Sequence, residues 1–201
     1  MSENNSQYDV IVIGAGVAGL YQLFKLRQLK LKALVIEAGD DVGGTWYWNR
    51  YPGARFDSES WSYGYSFSKE LFEEWDWPEH FAAQPDTLRY LNYVADKFDF
   101  RRDIKFDRRV EACVFDQQNN LWTVRTDTKE EYVARFLITA LGPLSAFTLP
   151  NIEGRETFKG PAYHTARWPH EEVDFSGKRV GIIGTGACAI QTIQTIAKDV
   201  A

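Results

Sequence analysis

The chain has 201 residues, 44% of them hydrophobic and 25% charged, with a formal net charge of −5. This is an ordinary globular balance with apolar material for the cores of one or two domains. The basic residues are scattered, with no more than two adjacent anywhere (Arg101-Arg102, Arg108-Arg109 and Lys178-Arg179), which excludes the electrostatic footprint of a nucleic-acid binder, and no apolar run approaches the roughly 18 residues of a membrane span.

The first residues, Met1 to Gln7, show neither the basic nor the apolar region of a secretory signal. Cys113 and Cys188 are the only cysteines and fit no CxxC pair and no zinc spacing, so a cytoplasmic protein without a metal site is expected. Tyr8 to Ile13 is a continuous β-branched run stopped by glycine and predicts a buried strand. Leu20, Leu23, Phe24, Leu26 and Leu31 recur near the helical period, and Ala33 to Ile36 predicts a second strand ending at Glu37. Strand, helix and strand in so short a span form a right-handed crossover and imply a parallel sheet.

Residues 39–81 show no sustained period. They hold many of the chain's seven Trp, ten Tyr and thirteen Phe, concentrated from Trp46 to Phe81. Such a cluster fits a packed rim or a wall around a planar ligand, and residue types alone leave both open. So long an irregular stretch is expected to be functional, with short helical turns inside it. Pro85-Asp86 opens a predicted helix reaching Phe98. Strands are predicted around Lys105-Phe106, at Arg109–Phe115, Leu121–Thr126 and Tyr132–Thr139, with a hairpin turn at Gln117 to Asn120. Leu141-Gly142-Pro143 begins a linker. Arg179–Ile183 predicts a new strand and Ala187–Ala197 a new helix, after which a second nucleotide-binding fold is expected to be cut short, the chain being a piece of a longer protein.

The chemistry sits in two glycine turns. The first, Gly14-Ala15-Gly16-Val17-Ala18-Gly19, lies between the first strand and its helix. There Gly14 allows the tight turn, Gly16 lets backbone approach a pyrophosphate, and Gly19 lets helix and strand pack. Glu37 can accept hydrogen bonds from ribose hydroxyls, and the whole context marks a dinucleotide-binding unit. The second turn is Gly184-Thr185-Gly186-Ala187-Cys188-Ala189. Between them, Gly43-Gly44-Thr45-Trp46 would let backbone pass close to an extended cofactor. Trp46, Tyr51 and Tyr63 offer flat surfaces, and Asp57 places a carboxylate near them; a packed loop with a surface Asp fits the same residues.

The stretch Gly43-Gly44-Thr45-Trp46 through Tyr51-Pro52-Gly53 to Asp57 resembles the FAD motif of Baeyer–Villiger monooxygenases. Phe158, Gly160, His164, Trp168 and Pro169 match the fingerprint of the same family, and the likeness, closest to the cyclohexanone monooxygenases, runs from Tyr8 to Ala201. The resemblance implies an α/β flavoprotein with two dinucleotide-binding domains: a Rossmann-like FAD domain with a β-hairpin insertion (1–145), a linker with the fingerprint (146–178) and the truncated start of an NADP domain (179–201).

It further implies tightly bound FAD, hydride from NADPH, a C4a-peroxyflavin formed with O2, and attack on a small ketone to give an ester or lactone. By likeness, Gly14 to Gly19 hold the FAD pyrophosphate, Glu37 the adenosine ribose, and Gly44, Thr45, Trp46, Asp57 and Tyr63 lie along the flavin half, with Val110 near the adenine through its backbone. Arg55, Phe56 and Asp57 border the nicotinamide, and Asp57 pairs with an essential arginine that lies outside these residues. Gly184 to Ala189, with Gln191 in the following helix, receive NADPH; Ala189 departs from the glycine usual in the family. His164 is expected to be structural rather than a general base. An N- or S-oxygenating flavin monooxygenase is the nearest alternative, whereas a disulfide reductase needs a cysteine pair this sequence lacks. Without the remainder of the enzyme the chain is expected to be an inert FAD-binding fragment.

Overall fold

The structure is a computed structural model that describes residues 7–201; residues 1–6, read above as carrying no signal pattern, lie outside it. It divides into two compact units, Met1–Tyr47 with Leu88–Gly142, and Trp48–Thr87 with Pro143–Ala201.

The first unit is built on one sheet. β1 (Gln7–Ile13), α1 (Val17–Gln28) and β2 (Ala33–Ile36) form the expected crossover, followed by α2 (Thr45–Trp48), whose last residue falls in the other unit. In the second unit lie α3 (Ser60–Tyr63) and α4 (Lys69–Glu74). α5 (Gln84–Lys97) leads back to the sheet, which is completed by β3 (Ile104–Lys105), β4 (Val110–Asp116), β5 (Leu121–Thr126) and β6 (Glu131–Thr139). The strand order is β3-β2-β1-β6-β5-β4. β1 pairs in parallel with both β2 and β6, so Ile11 faces Leu34 on one side and Leu137 on the other. A central parallel strand is covered on both faces, which is why Val10 to Ile13 are all buried in succession rather than alternately. β4 and β5 add antiparallel to β6, forming the expected hairpin. Its turn is held by Asp116, whose Oδ1 accepts the Gln118 N–H at 2.8 Å. The Asn119 side chain and the two backbone N–H groups hold that carboxyl below its ordinary range.

α1 buries Leu20, Leu23 and Leu26 on one stripe. It stops at Gln28 because Lys30 turns into the left-handed region (φ 58°). The Leu31 N–H then returns to the Leu26 carbonyl and the Lys30 N–H to that of Arg27. α5 ends the same way: Asp99 has φ 50°, the Phe100 N–H returns to Ala95 and that of Asp99 to Asp96. Arg27 joins the two ends. Its Nη1 donates to the Phe98 carbonyl and its Nη2 to that of Asp99, each at 2.7 Å, while Nε reaches Asp103 at 2.8 Å.

In the second unit the loop-rich stretch is packed on itself. The Phe56 and Tyr63 rings stack at 4.3 Å, and Trp77 meets Phe56 edge-on at 5.9 Å. Buried Ser60 closes the stretch, its Oγ donating to the Glu79 carbonyl at 2.6 Å and accepting from the Ala82 N–H at 2.9 Å. The only regular helix beyond Gly142 is α6 (Ala187–Ile196).

One expectation is corrected. Arg179–Ile183 is not a strand, and Ile183 is 79% exposed. A strand exists only by pairing with a neighbour, and among the described residues of this unit the one β-pairing is an isolated bridge between Arg55 and Ala83.

Candidate cofactor-binding site

The first glycine turn is fixed from three sides. Gly14 has φ +102° and its N–H donates to the Ile36 carbonyl at 2.8 Å. A Cβ on Gly14 would lie 2.7 Å from the Ala140 carbonyl oxygen, where β6 ends. Gly16 is extended (φ −79°, ψ −168°), and no side chain caps α1 there. The start of this helix, with Val17 and Ala18 in its first turn, thus presents its dipole and backbone N–H groups to an anion. Gly44, at φ +54°, crosses the turn so closely that a Cβ on it would lie 2.8 Å from the Gly16 Cα. Gly43 ties the crossing down, its N–H donating to the Ala15 carbonyl at 3.1 Å. Thr45 and Trp46 follow in α2, Trp46 buried.

Glu37 is 4% exposed and uses both carboxylate oxygens. Oε2 accepts the Ala15 N–H at 2.7 Å, and Oε1 the Gly39 N–H at 2.8 Å. The acid at the strand end therefore braces the glycine turn itself. Each oxygen keeps a further lone pair able to accept another hydrogen bond. The Arg108 N–H donates to the Glu37 carbonyl at 2.9 Å, which brings the start of β4, and Val110 with it, alongside this residue. The loop between Glu37 and Gly44 is held by Tyr47, donating to Asp40 at 2.6 Å, and by Arg101, donating to Asp41 at 2.6 Å.

In the second unit the Tyr51–Asp57 segment lies against α6. The buried Tyr51 hydroxyl donates to Gln191 Oε1 at 2.8 Å, and Gln191 Nε2 donates to the Arg55 carbonyl at 3.0 Å. Gly53, at φ +80°, has room for no side chain: a Cβ would fall 2.5 Å from the Gln191 carbonyl oxygen. Burial first, and then the neighbouring Cys188 and Asp57, push the Tyr51 phenol well above its ordinary pKa. Arg55 pairs with Glu79 at 2.9 Å, Phe56 is buried against Tyr63, and Asp57 is exposed.

The second glycine turn repeats the first. Gly184 has φ +115°, and Gly186 (φ −76°, ψ 178°) precedes α6 as Gly16 precedes α1. Thr185 and Ala187 are exposed, Cys188 partly buried and Ala189 buried. Around the fingerprint, the Phe158 ring covers Gly160, where a Cβ would meet it at 2.7 Å. His164 Nδ1 accepts the Ala166 N–H at 3.1 Å, capping a short 3-10 turn. Trp168 packs between Tyr163 and Phe175, with Pro169 following it. Among the described residues no group of His, Cys, Asp and Glu could hold a metal, and no helix is long and apolar enough to cross a membrane.

The hold of Gln191 on Tyr51 and Arg55, and that of Glu37 on Ala15, were not legible in the sequence. Both join residues far apart in the chain, and no local spacing announces either one.

The sheet, parallel across β3-β2-β1-β6, and its braced glycine turn define a Rossmann-like FAD-binding α/β protein. The model of the pyridine nucleotide-disulphide oxidoreductase family matches residues 11–200; the chain belongs to that family, and within it to the Baeyer–Villiger monooxygenases. It is 51% identical to 2-oxo-Δ3-4,5,5-trimethylcyclopentenylacetyl-CoA monooxygenase of Pseudomonas putida, over 94% of this chain and 36% of the relative. It is 44% identical to phenazine N-monooxygenase PhzNO1 of Lysobacter antibioticus, over 98% of this chain and 37% of the relative. A solved structure of OTEMO in complex with FAD and NADP superposes with a TM-score of 0.90 at 50% identity, covering 96% of this chain and 37% of that one. The chain thus spans about a third of the length of these relatives.

Proposed function

We propose that this chain holds FAD, and forms the first turn and helix of an NADPH site, in a cytoplasmic enzyme that inserts one oxygen atom of O2 beside a ketone carbonyl to give an ester or lactone. The observation that carries the reading is the recurrence of one backbone conformation, Gly14–Gly16 and Gly184–Gly186, ahead of two helices in a single chain. The domains on this reading are 1–145 for FAD, 146–178 as the connection and 179–201 for the start of the NADP part.

The residues fit the flavin. Side chains are excluded where Gly16 and Gly44 cross, so the backbone from Gly14 to Gly19 can approach a pyrophosphate, and Glu37 has lone pairs left for the ribose. Gly44, Thr45 and Trp46 continue along the cofactor, and Val110 offers its backbone to the adenine. FAD, when bound, accepts hydride from NADPH and activates O2. Arg55, Phe56, Asp57 and Tyr63 border the flavin and nicotinamide, Phe56 and Tyr63 holding each other flat. Asp57, being exposed, can meet an arginine supplied from outside these residues, fixing a guanidinium that stabilises developing negative charge. Gly184 to Ala189 receive the NADPH pyrophosphate. The 3-10 cap at His164 and the packing of Trp168 support a bracing role for the fingerprint rather than proton transfer.

The test is turnover by the protein that carries this chain, given FAD, NADPH, O2 and a panel of cyclic and acyclic ketones. Ester or lactone formed in step with NADPH consumption is expected; its absence across the panel sinks the reading. The phenazine N-monooxygenase relative favours a second reading, N- or S-oxygenation, and tertiary amines and thioethers in the same panel separate the two.

A further inference from the structure

We propose that Gln191 is a positioning residue: it clamps the segment Tyr51–Asp57 onto α6, so that the loop bearing Arg55, Phe56 and Asp57 moves with the helix behind the second glycine turn. The clamp has three parts, all within the second unit. The Gln191 carboxamide accepts from the Tyr51 hydroxyl at 2.8 Å at one end of the loop and donates to the Arg55 carbonyl at 3.0 Å at the other. Between these ends Gly53 presses its backbone onto the helix. Its φ of +80° is a conformation that only glycine adopts without strain, and an added Cβ would lie 2.5 Å from the Gln191 carbonyl oxygen and 2.2 Å from Thr195 Oγ1.

The choice of side chain matters. A carboxamide carries an acceptor and a donor on one planar group. Glutamate at this place could still accept from Tyr51 but would set an oxygen against the Arg55 carbonyl. Leucine could do neither. Tyr51 is 8% exposed, so its hydroxyl has little access to water as a substitute partner.

The consequence rests on the reading of the second turn as an NADPH site. Gln191 sits in the second turn of α6, and an α-helix transmits displacement of its N-terminus along its length as a rigid rod. Whatever seats an anion at Gly184–Gly186 therefore also sets where Arg55, Phe56 and Asp57 stand. By reciprocity, loosening the loop must weaken nucleotide binding by the same factor that nucleotide orders the loop.

The experiment compares wild type, Gln191→Leu, Gln191→Glu, Tyr51→Phe and the pair Tyr51→Phe/Gln191→Leu in the protein that carries this chain. Hydrogen exchange is read on the peptide spanning 51–57, with and without NADP+, and the NADP+ dissociation constant is measured by calorimetry. Thermal melts identify any variant that fails to fold, and Tyr51→Phe, which removes one oxygen only, keeps the comparison available. Without nucleotide, each single variant is expected to speed exchange in 51–57 roughly fivefold, the scale of one lost hydrogen bond. The pair should add less than the product of the singles, because both act on one contact. Gln191→Leu should also weaken NADP+ severalfold while wild type alone gains protection of 51–57 on binding it. Unchanged exchange in a folded Gln191→Leu protein overturns the clamp. Equal protection by NADP+ in wild type and Gln191→Leu overturns the coupling. If wild type binds no NADP+, the NADPH-site reading and the coupling that rests on it both fail, while the nucleotide-free exchange still decides the clamp.

Discussion

The carbonyl oxygen of Gly14 lies 1.9 Å from the point a methyl group on Gly19 would occupy, so strand end and helix start are packed to backbone contact. An oxygen of the main chain cannot swing aside as a flexible side-chain tip can. Gly19→Ala is therefore expected to cost at least about 3 kcal/mol of stability and to release the flavin. Its counterpart Ala189 already carries a Cβ in α6, so Ala189→Gly should cost about 1–2 kcal/mol, from helix propensity and one lost buried methyl, and involve no clash. Thermal denaturation and flavin content of the two purified variants measure the contrast; equal effects would contradict it.

Arg27 closes the first unit on its far side, with three of its hydrogen bonds reaching Phe98, Asp99 and Asp103. Its guanidinium also lies 5.1 Å from the Phe100 ring centroid. Two of the acceptors are carbonyls at the end of α5, which would be left to water. Arg27→Ala is expected to destabilise by about 1–3 kcal/mol. Arg27→Lys should recover less than half of that, since an ammonium cannot reproduce the planar fork. Urea unfolding followed by far-UV circular dichroism gives both numbers.

Tyr51 makes stability depend on pH in the alkaline range. Its folded pKa is raised, first by burial, then by Cys188 and Asp57, above an unfolded value of about 10. Below about pH 10 both states keep the proton, and its contribution is complete. Above that, the unfolded chain releases a proton that the folded chain retains, so the unfolded state binds fewer protons and unfolding becomes easier as pH rises. Tyr8 and Tyr132 are raised as well and shift stability in the same direction. Tyr51→Phe removes one share, so the drop in unfolding free energy between about pH 9 and about pH 11 should be smaller in the variant than in wild type. A drop of the same size would show that Tyr51 is not held in its neutral form.

His164 caps a turn through Nδ1. His164→Ala is expected to lose about 1 kcal/mol, and His164→Asn, which restores an acceptor for the Ala166 N–H, to recover most of it. The pH–rate profile of turnover should keep its shape in His164→Asn. A lost limb in that profile would make the imidazole a proton carrier.

The elements legible in the sequence were those whose signal is local. The β-branched runs of β1 and β2, the Asn-rich turn between β4 and β5, and the apolar stripe of α1 each state their structure within a few neighbours. Arg179–Ile183 carries the same kind of run as β1 yet forms no strand, because pairing is a property of two segments and only one is given by the run itself. The site divides along the same line. The glycine turns were readable because a positive φ, as at Gly14, Gly44 and Gly184, leaves few residue types to choose from. What each polar side chain holds was not. Glu37 reads as a ribose acceptor, and the structure shows it gripping two backbone N–H groups; Gln191 reads as part of a nucleotide helix, and both ends of its amide serve a loop more than a hundred residues earlier. The aromatic cluster, open in the sequence between wall and rim, packs at least in part on itself, through Phe56, Tyr63 and Trp77.

The agreement of Gly184 and Gly186 with Gly14 and Gly16 in backbone angle separates two demands on a glycine. At Gly14 the left-handed φ and the Ala140 carbonyl both exclude a side chain, whereas at Gly184 the φ of +115° alone does so, a Cβ there meeting nothing within 4 Å among the described residues. The same residue type is thus selected at one turn by angle and crowding together and at the other by angle.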